Sequence, residues 1–319
     1  MTSYREPGLH ILGPEWLEIA DHVTLSFGKG TPEELRNQVK LPFELPPPTG
    51  MTITDRPVPG YDGGTNQVRI YKPEEPSTNG AVLIYVHGGG WTVGNLDTED
   101  AFCRTVCRGN RIVVVQNNLD FLGGKPDNLI MGGLSAGGNI TAALVQRAKA
   151  TGLVSIRGHI LREPLVVHPA VHPAGVDFSS YVDSEDAPIL PALGVHRCLE
   201  WYKPVPDDLR MSPLLAEDFS GLPPAYVQIA GVDPLRVPVR VSVYPRLPHA
   251  FQMVPLKSSQ QSDKELIYAV KWLIGSDRDD DTGTGRPNRL SGREPWADRQ
   301  DMVNKWCGCA IAVGCGCSG

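Results

Sequence analysis

A serine between two glycines is the strongest chemical signal in this sequence. Ser135 lies at the centre of a Gly-x-Ser-x-Gly pattern with Gly133 and Gly137, between an apolar segment and a helix-like one. A serine raised on a sharp strand-to-helix turn exposes its hydroxyl above a parallel sheet, and the glycines keep Cβ atoms out of that turn. The helix that begins at Ala136 would direct its first N–H groups at any negative charge formed there. Alone, the pattern favours an ordinary glycine-rich turn, but the rest of the sequence reverses that preference.

A second candidate segment is the run His-Gly-Gly-Gly-Trp at residues 87–91. It follows the continuous apolar run 81–86, which is typical of a central strand buried on both faces. Sheets of this class carry their sites at the carboxyl ends of the strands, and a loop of glycines lets main-chain N–H groups approach a substrate oxygen. Glycine runs are usually only tight turns. The independent signal at Ser135 favours an oxyanion-hole loop here.

The sequence also offers a base and an acid for Ser135. A serine hydroxyl is a weak nucleophile and needs a base, which in turn needs an orienting acid. Asp233 and His249 each follow a predicted strand, and the order serine, aspartate, histidine is that of α/β-hydrolases. Asp233 could instead form a turn before proline, and His249 could be a structural histidine. His168 and His172 lie in a proline-rich turn without an acid nearby, so they are weaker candidates for a base or a metal ligand.

Apolar patterning predicts the elements that would hold these residues. Thr31 before Pro32 predicts the N-cap of a short N-terminal helix. An apolar face over residues 139–150 predicts the helix after Ser135, and the sequence Ser-Asp-Lys-Glu at 262–265 predicts a capping box that opens the last helix. Strands are predicted at residues 51–58, 67–71, 81–86, 111–116, 128–132, 154–161, 164–168, 226–230 and 239–244.

Length and composition set the broad class of the protein. The 319 residues are 41% hydrophobic, which is enough to bury the core of one large α/β domain. A net charge of −6 gives no basic face for nucleic acid or an anionic membrane. No apolar run approaches the roughly 18 residues of a membrane-spanning helix, and the first residues lack the apolar core of a signal peptide. We therefore expect a soluble, cytoplasmic protein with no cofactor and no bound metal.

Four motifs, taken in order, resemble the hormone-sensitive lipase family of α/β-hydrolases. They lie at residues 87–91, 133–139, 231–236 (Gly-Val-Asp-Pro-Leu-Arg) and 247–251 (Leu-Pro-His-Ala-Phe). The likeness covers the chain from near residue 45 to residue 274, and the family includes microbial carboxylesterases and arylacetamide deacetylase. It implies an α/β-hydrolase fold, in which helices flank a mostly parallel sheet and N-terminal cap elements cover the pocket.

The resemblance also implies a reaction and a role for each motif residue. The protein would be a serine carboxylesterase that hydrolyses a small to medium acyl ester through an acyl-enzyme intermediate. Its one implied partner is that small-molecule substrate, and the sequence does not give the oligomeric state. The implied roles are Ser135 as nucleophile, His249 as base, Asp233 as orienting acid, and Gly89, Gly90 and Ala136 as N–H donors of the oxyanion hole.

Two connections between predicted strands are short for this fold. Parallel neighbours need a crossover of about a dozen residues or more, usually with a helix. Nine residues separate Ile229 from Val239, and residues 117–127 are all that separate two earlier strands. The last strand then either returns parallel on a nearly extended link, so that His249 reaches Asp233, or lies outside the sheet. The short connections favour an alternative function, a catalytically impaired or non-catalytic protein of the same fold that binds a small molecule.

The last residues differ from the rest of the chain. A charged segment without apolar periodicity precedes a cluster of four cysteines, Cys307, Cys309, Cys315 and Cys317. Their Cys-x-Cys spacing lacks the two-residue gap of common zinc sites, so we expect a disordered appendage. The predicted organisation is a cap segment at 1–50, an α/β-hydrolase domain at 51–275 and a disordered cysteine-rich tail at 276–319.

Overall fold

The computed structural model describes residues 11–23, 25–38, 45–60, 63–116, 128–152, 155–171, 173, 178–235 and 242–274. The strands are β1 (Met51–Pro59), β2 (Thr65–Pro73), β3 (Val82–Val86), β4 (Val113–Gln116), β5 (Leu129–Leu134), β6 (Gly158–Arg162), β7 (Ala225–Val232) and β8 (Ser242–Pro248). They form one eight-stranded sheet in the order β1-β2-β4-β3-β5-β6-β7-β8.

β2 runs in the opposite direction to the other seven strands of this sheet. β1 and β2 form an antiparallel pair, and β2 is antiparallel to β4. Every pair from β4 to β8 is parallel. β5 and β7 are buried along their whole length, as expected of parallel strands covered on both faces. The mostly parallel sheet flanked by helices confirms the α/β-hydrolase fold predicted from the sequence.

Helices cover both faces of the sheet because successive strand residues point to opposite sides. Leu83 and Tyr85 face a buried cluster to which α3 and α7 contribute, whereas Ala142 of α4 packs with Leu161 in a separate cluster. The sheet is therefore the middle layer of three. The helices are α1 (Pro14–Leu17), α2 (Pro32–Gln38), α3 (Asp100–Asn110), α4 (Ala136–Thr151), α5 (Ser179–Asp183), α6 (Ala192–Tyr202) and α7 (Lys257–Ile274).

The helix predicted after Thr31 is confirmed as α2, and it lies against the glycine-rich loop. The Glu34 N–H donates to the Thr31 hydroxyl at 3.3 Å, while the Thr31 N–H donates to the Glu34 carboxylate at 2.6 Å. This is a reciprocal capping box. Arg36 then donates two hydrogen bonds, of 3.0 and 3.2 Å, to the carbonyl of Thr92. The N-terminal segment is in this way hydrogen-bonded to the residue that directly follows the His-Gly-Gly-Gly-Trp run.

The last strand returns parallel to β7, in spite of the short connection. Residues 228–230 pair with residues 242–244, and the register shifts immediately after that. The alternative in which this strand lies outside the sheet is therefore wrong. Residues 239–241 of the predicted strand, like the other short connection at 117–127, lie outside the described residues.

Two predictions of local structure are wrong. Residues 164–168 do not form a strand, because β6 ends at Arg162 and Pro164 has no N–H to donate to a ladder. The capping box at 262–265 does not open a helix, because α7 already begins at Lys257. The buried Ser262 hydroxyl instead accepts a hydrogen bond of 3.0 Å from the Gln228 side chain.

Some expectations fall on residues that the structure does not describe. These are His172 and the cysteine-rich tail. Within the described ranges, no helix combines the length and the apolar character needed to cross a bilayer.

Ile130 tests the packing of the central strand. Its side chain in β5 is 0% exposed, so we expect Ile130→Ala to lower the free energy of unfolding by about 2–5 kcal/mol through lost burial and a residual cavity. Val182→Ala is the matched control, since Val182 is 76% exposed and its truncation should cost less than about 0.5 kcal/mol. Urea unfolding of both variants measures the difference. Equal losses in the two would contradict this description of the core.

Candidate active site

Ser135 occupies a strained turn between β5 and α4. Its backbone angles are φ 55° and ψ −117°, a combination that residues with a Cβ rarely adopt. Such a conformation costs about 1–3 kcal/mol and persists only where its surroundings enforce it. The Ser135 N–H donates to the Arg162 carbonyl at 2.8 Å, and the Ser135 carbonyl accepts the Asn139 N–H at 3.0 Å. Neighbouring β6 and the first turn of α4 thus hold the serine in place.

The two glycines of the pattern are required by crowding. A Cβ on Gly133 would lie 2.3 Å from the carbonyl of Gly137, and a Cβ on Gly137 would lie 2.1 Å from the carbonyl oxygen of Val86. Real Cβ atoms do not approach main-chain atoms so closely. The turn can therefore place Ser135 beside the end of β3 only when both positions lack a side chain.

The loop after β3 presents its main chain to the same place. Gly89 has φ +124°, and a Cβ there would lie 2.2 Å from the Val93 carbonyl oxygen, so this position requires glycine. The Val93 N–H donates to the Gly89 carbonyl at 3.0 Å and fixes the turn. Among the described residues, the N–H groups of Gly89, Gly90 and Ala136 donate no hydrogen bond. These three donors are available to an oxygen atom of a substrate.

Asp233 and His249 come together at the carboxyl ends of β7 and β8. His249 Nδ1 lies 2.9 Å from a carboxylate oxygen of Asp233, and both side chains are buried. The second Asp233 oxygen accepts the Leu235 N–H at 2.9 Å, which orients the carboxylate. Because Nδ1 is engaged with the acid, Nε2 is the nitrogen left for a proton transfer.

The charges around His249 favour its protonated form. Burial lowers the pKa of this imidazole. The Asp233 carboxylate, and after it Glu163 and Glu99, outweigh burial, so the pKa of His249 lies above the ordinary value of histidine. His168, by comparison, lies outside this group: burial lowers its pKa, and its Nδ1 accepts the Ala170 N–H at 3.0 Å. The turn around His168 therefore uses that side chain structurally.

One cavity brings the serine, the histidine and the glycine loop together. It is lined by Ser135, His249 and residues 88–90, and it contains about 620 Å³ of space counted to its open mouth. Apart from Ser135, His249, Thr98, Cys198 and the thioether of Met253, every side chain that lines it is hydrocarbon or aromatic. The lining comes from the N-terminal segment, the sheet edge and α6, with Phe27, Leu134, Leu165, Ile189, Val195 and Leu235 among its residues.

Sequence reasoning missed two parts of this site. The first is the wall formed by Ile189 and α6, because residues 178–215 show only a mixed pattern without clear periodicity. The second is Glu163, a buried carboxylate whose nearer oxygen lies 3.6 Å from His249 Nδ1. Its position was the available signal, because Glu163 directly follows β6 as Ser135 follows β5 and Asp233 follows β7.

Among the described residues, one group of side chains lies close enough together to share a metal ion. Glu163, Asp233 and His249 each offer a ligand atom, and these atoms lie within 4.8 Å of one another. The His249 nitrogen is already engaged with Asp233, and both Glu163 oxygens accept hydrogen bonds from Ala250 and Gln252. These three groups therefore fit a hydrogen-bonded cluster of charges around an imidazole better than they fit a metal site.

Known proteins resemble this chain in both sequence and structure. A family model described as the alpha/beta hydrolase fold matches residues 83–120 and 115–253. The carboxylesterase NlhH of Mycobacterium tuberculosis is 34% identical over 232 residues, which are 62% of this chain and 70% of that protein. The family match includes the segments that carry Ser135, Asp233 and His249.

Solved structures show the same fold at lower identity. Vibralactone cyclase superposes with a TM-score of 0.73 at 24% identity, covering 86% of this chain and 98% of that one. A bacterial heroin esterase does so with a TM-score of 0.70 at 22% identity, covering 82% and 98%. At such identities the likeness is one of fold. Together with the family match over more than half of the sequence, it establishes that the chain belongs to the hormone-sensitive lipase-like group of the α/β-hydrolase fold family.

Proposed function

We propose that this protein is a serine carboxylesterase that hydrolyses small to medium acyl esters through an acyl-enzyme on Ser135. Carboxylic ester hydrolysis is the activity for which relatives such as NlhH are named. The observation that carries the proposal is the shared cavity, which Ser135, His249 and the glycine loop line together while Asp233 orients the histidine.

The reaction follows from the roles of these groups. The Ser135 oxygen attacks the ester carbonyl carbon as His249 Nε2 takes its proton, and Asp233 stabilises the resulting imidazolium. The carbonyl oxygen becomes an oxyanion and receives hydrogen bonds from the N–H groups at Gly89, Gly90 and Ala136. The C–O bond to the alcohol then breaks, and His249 returns the proton to the leaving oxygen. Water, deprotonated by the same imidazole, attacks the acyl carbon. The bond from that carbon to the Ser135 oxygen then breaks, His249 returns the proton to Ser135, and the carboxylic acid is released.

The lining of the cavity supports an uncharged substrate. Burying a charge among hydrocarbon side chains such as Phe27, Leu165 and Val195 would be costly without a partner, whereas an acyl chain gains from leaving water. The lining therefore favours a neutral ester with an apolar acyl chain.

The alternative function, binding without catalysis, has less support. A binding protein has no need of a buried aspartate held at 2.9 Å from a buried histidine beside a strained serine. Burial of such polar groups lowers the stability of the fold, so these groups are kept mainly at sites that use them. The hydrogen bond between Asp233 and His249 therefore favours the enzyme.

A cytoplasmic location is part of the proposal. Cys103, Cys107 and Cys198 are buried free thiols, which is the usual state of cysteine in a reducing compartment.

Ser135→Ala tests the nucleophile. Removing the hydroxyl should lower kcat for a short p-nitrophenyl ester by at least about 10³-fold, because no acyl-enzyme can form. The melting temperature should stay close to that of the original protein, since alanine fits the same turn. The exposed Ser220→Ala variant is the matched control and should keep full activity. Hydrolysis that survives in Ser135→Ala would exclude Ser135 as the nucleophile.

The pH dependence of kcat/KM tests His249 as the base. The base must be neutral, so the rate should rise with pH as the imidazolium loses its proton. Because the pKa of His249 is raised by its carboxylate neighbours, the midpoint should lie above the ordinary value of about 6.5. In Asp233→Asn the midpoint should fall, and kcat should drop by about 10⁴-fold. A rate that is constant between pH 5 and 8 would mean that another group is the base.

A further inference from the structure

Glu163 is a buried carboxylate that directly follows β6, and its side-chain hydrogen bonds lead to the segment of His249. The whole residue is 2% exposed, and its backbone has φ 46°, a strained value for a residue with a Cβ. The Glu163 N–H donates to the carbonyl of Gln228 in β7 at 2.9 Å, which anchors the residue to the sheet. A charged residue is seldom fully buried unless it is paired, so its partners indicate its purpose.

Both carboxylate oxygens accept hydrogen bonds from residues that directly follow His249. The Ala250 N–H donates to one oxygen at 2.5 Å, and the Gln252 side chain donates to the other at 2.5 Å. Ala250 itself has φ 57°, so the chain makes a strained bend immediately after His249. The carboxylate holds that bend in place, because it occupies the N–H group that the bend turns inward.

The oxygen that accepts the Ala250 N–H also faces the imidazole. It lies 3.6 Å from His249 Nδ1, while the Asp233 oxygen lies 2.9 Å from the same nitrogen. Asp233 therefore makes the hydrogen bond, and Glu163 is a second negative charge on the same edge of the ring. Burial, together with the Asp233 carboxylate, raises the pKa of Glu163, whereas the His249 imidazole and the donors to both Glu163 oxygens stabilise its charged form and oppose that rise.

We propose that Glu163 is a positioning residue for His249: it fixes the segment after the histidine through the Ala250 N–H and stabilises the imidazolium that forms when Ser135 is deprotonated. This inference rests on the proposed function. It adds a fourth residue to the three of the usual serine-hydrolase arrangement, and it gives that residue a role through His249 and not on the substrate.

The other charges near His249 set how large the effect can be. Asp233 and Glu99 are the further carboxyl groups that raise the pKa of His249, and burial raises the pKa of Glu99 to about 7. The guanidinium of Arg162 lies between Gln228 and Tyr85, with which it makes hydrogen bonds of 2.7 and 3.2 Å. Burial raises the pKa of Tyr181, which faces Asp233, so its phenol stays neutral. Removal of the Glu163 charge thus leaves Asp233 as the nearest charge on the imidazole.

Glu163→Gln tests the inference through the pH profile of kcat/KM between pH 5 and 9. With less negative charge beside it, His249 should lose its proton more readily, and the acidic midpoint should move down by about one pH unit. At the pH optimum kcat should fall more than KM changes, because the base is held less well while the cavity is intact. A purely structural residue would lower activity without moving the midpoint.

Gln252→Ala is the matched control, since it removes one donor to Glu163 and keeps the charge. Its acidic midpoint should not fall below that of the original protein. Glu163→Ala removes the same charge without introducing an amide and should lower the midpoint as Glu163→Gln does. Thermal unfolding of each variant shows whether it is folded.

Each outcome decides the matter. An unchanged midpoint in either folded Glu163 variant would overturn the inference. The inference would also fail if both Glu163 variants did not fold while Gln252→Ala did, because Glu163 would then be a structural anchor only. Ser135→Ala in the same assay separates this from the proposed function. If it still hydrolyses the ester, the proposed function fails. If it is inactive and the Glu163 midpoint is unchanged, only the inference about Glu163 fails.

Discussion

The hydrogen bond between His249 and Asp233 is the interaction on which the rest of the site depends. Both side chains are almost completely buried, so each would carry an uncompensated polar group without the other. The bond can form only because β8 runs parallel to β7, which brings the residues that follow these two strands to the same edge of the sheet. The parallel pairing of β8 with β7 thus decides whether the two side chains meet, even though both strands lie far along the chain from Ser135.

Backbone strain is concentrated around the same edge. Trp91, Ser135, Glu163, Ile189 and Ala250 all have positive φ angles, and each either lines the cavity or contacts His249 or its neighbours. Conformations of this kind cost about 1–3 kcal/mol each and remain only where surrounding contacts enforce them. The rigid parallel sheet supplies that enforcement through β3, β5, β6, β7 and β8, whose carboxyl ends carry the site. A stable scaffold and a strained site are therefore parts of one arrangement.

The sequence predicted those features that depend on a short local pattern. The glycines around Ser135 and at Gly89 are there because a Cβ would collide with the main chain, and such a requirement leaves a readable mark. The order of Ser135, Asp233 and His249, each after an apolar strand, predicted the edge at which they would lie. The fold followed from the same alternation of strands and helices.

What the sequence did not reveal depends on contacts between distant segments. The position of Glu163 after a strand is a weak signal, and only the fold shows that its carboxylate lies 3.6 Å from His249. The wall from α6 has no motif, because any apolar residue of suitable size can line a pocket. The start of α7 was misplaced for a related reason: Ser262 looks like an N-cap, but its hydroxyl is engaged by Gln228 of another element.

The most direct test of the account is to locate a covalent adduct. A fluorophosphonate reacts with a serine only where a base activates it and an oxyanion hole receives the phosphoryl oxygen, so labelling requires the assembled site. Peptide mapping by mass spectrometry should find one adduct, on the side chain of Ser135, and its formation should be lost in His249→Ala. An adduct on another residue, or an unlabelled Ser135 in protein that hydrolyses esters, would contradict the account.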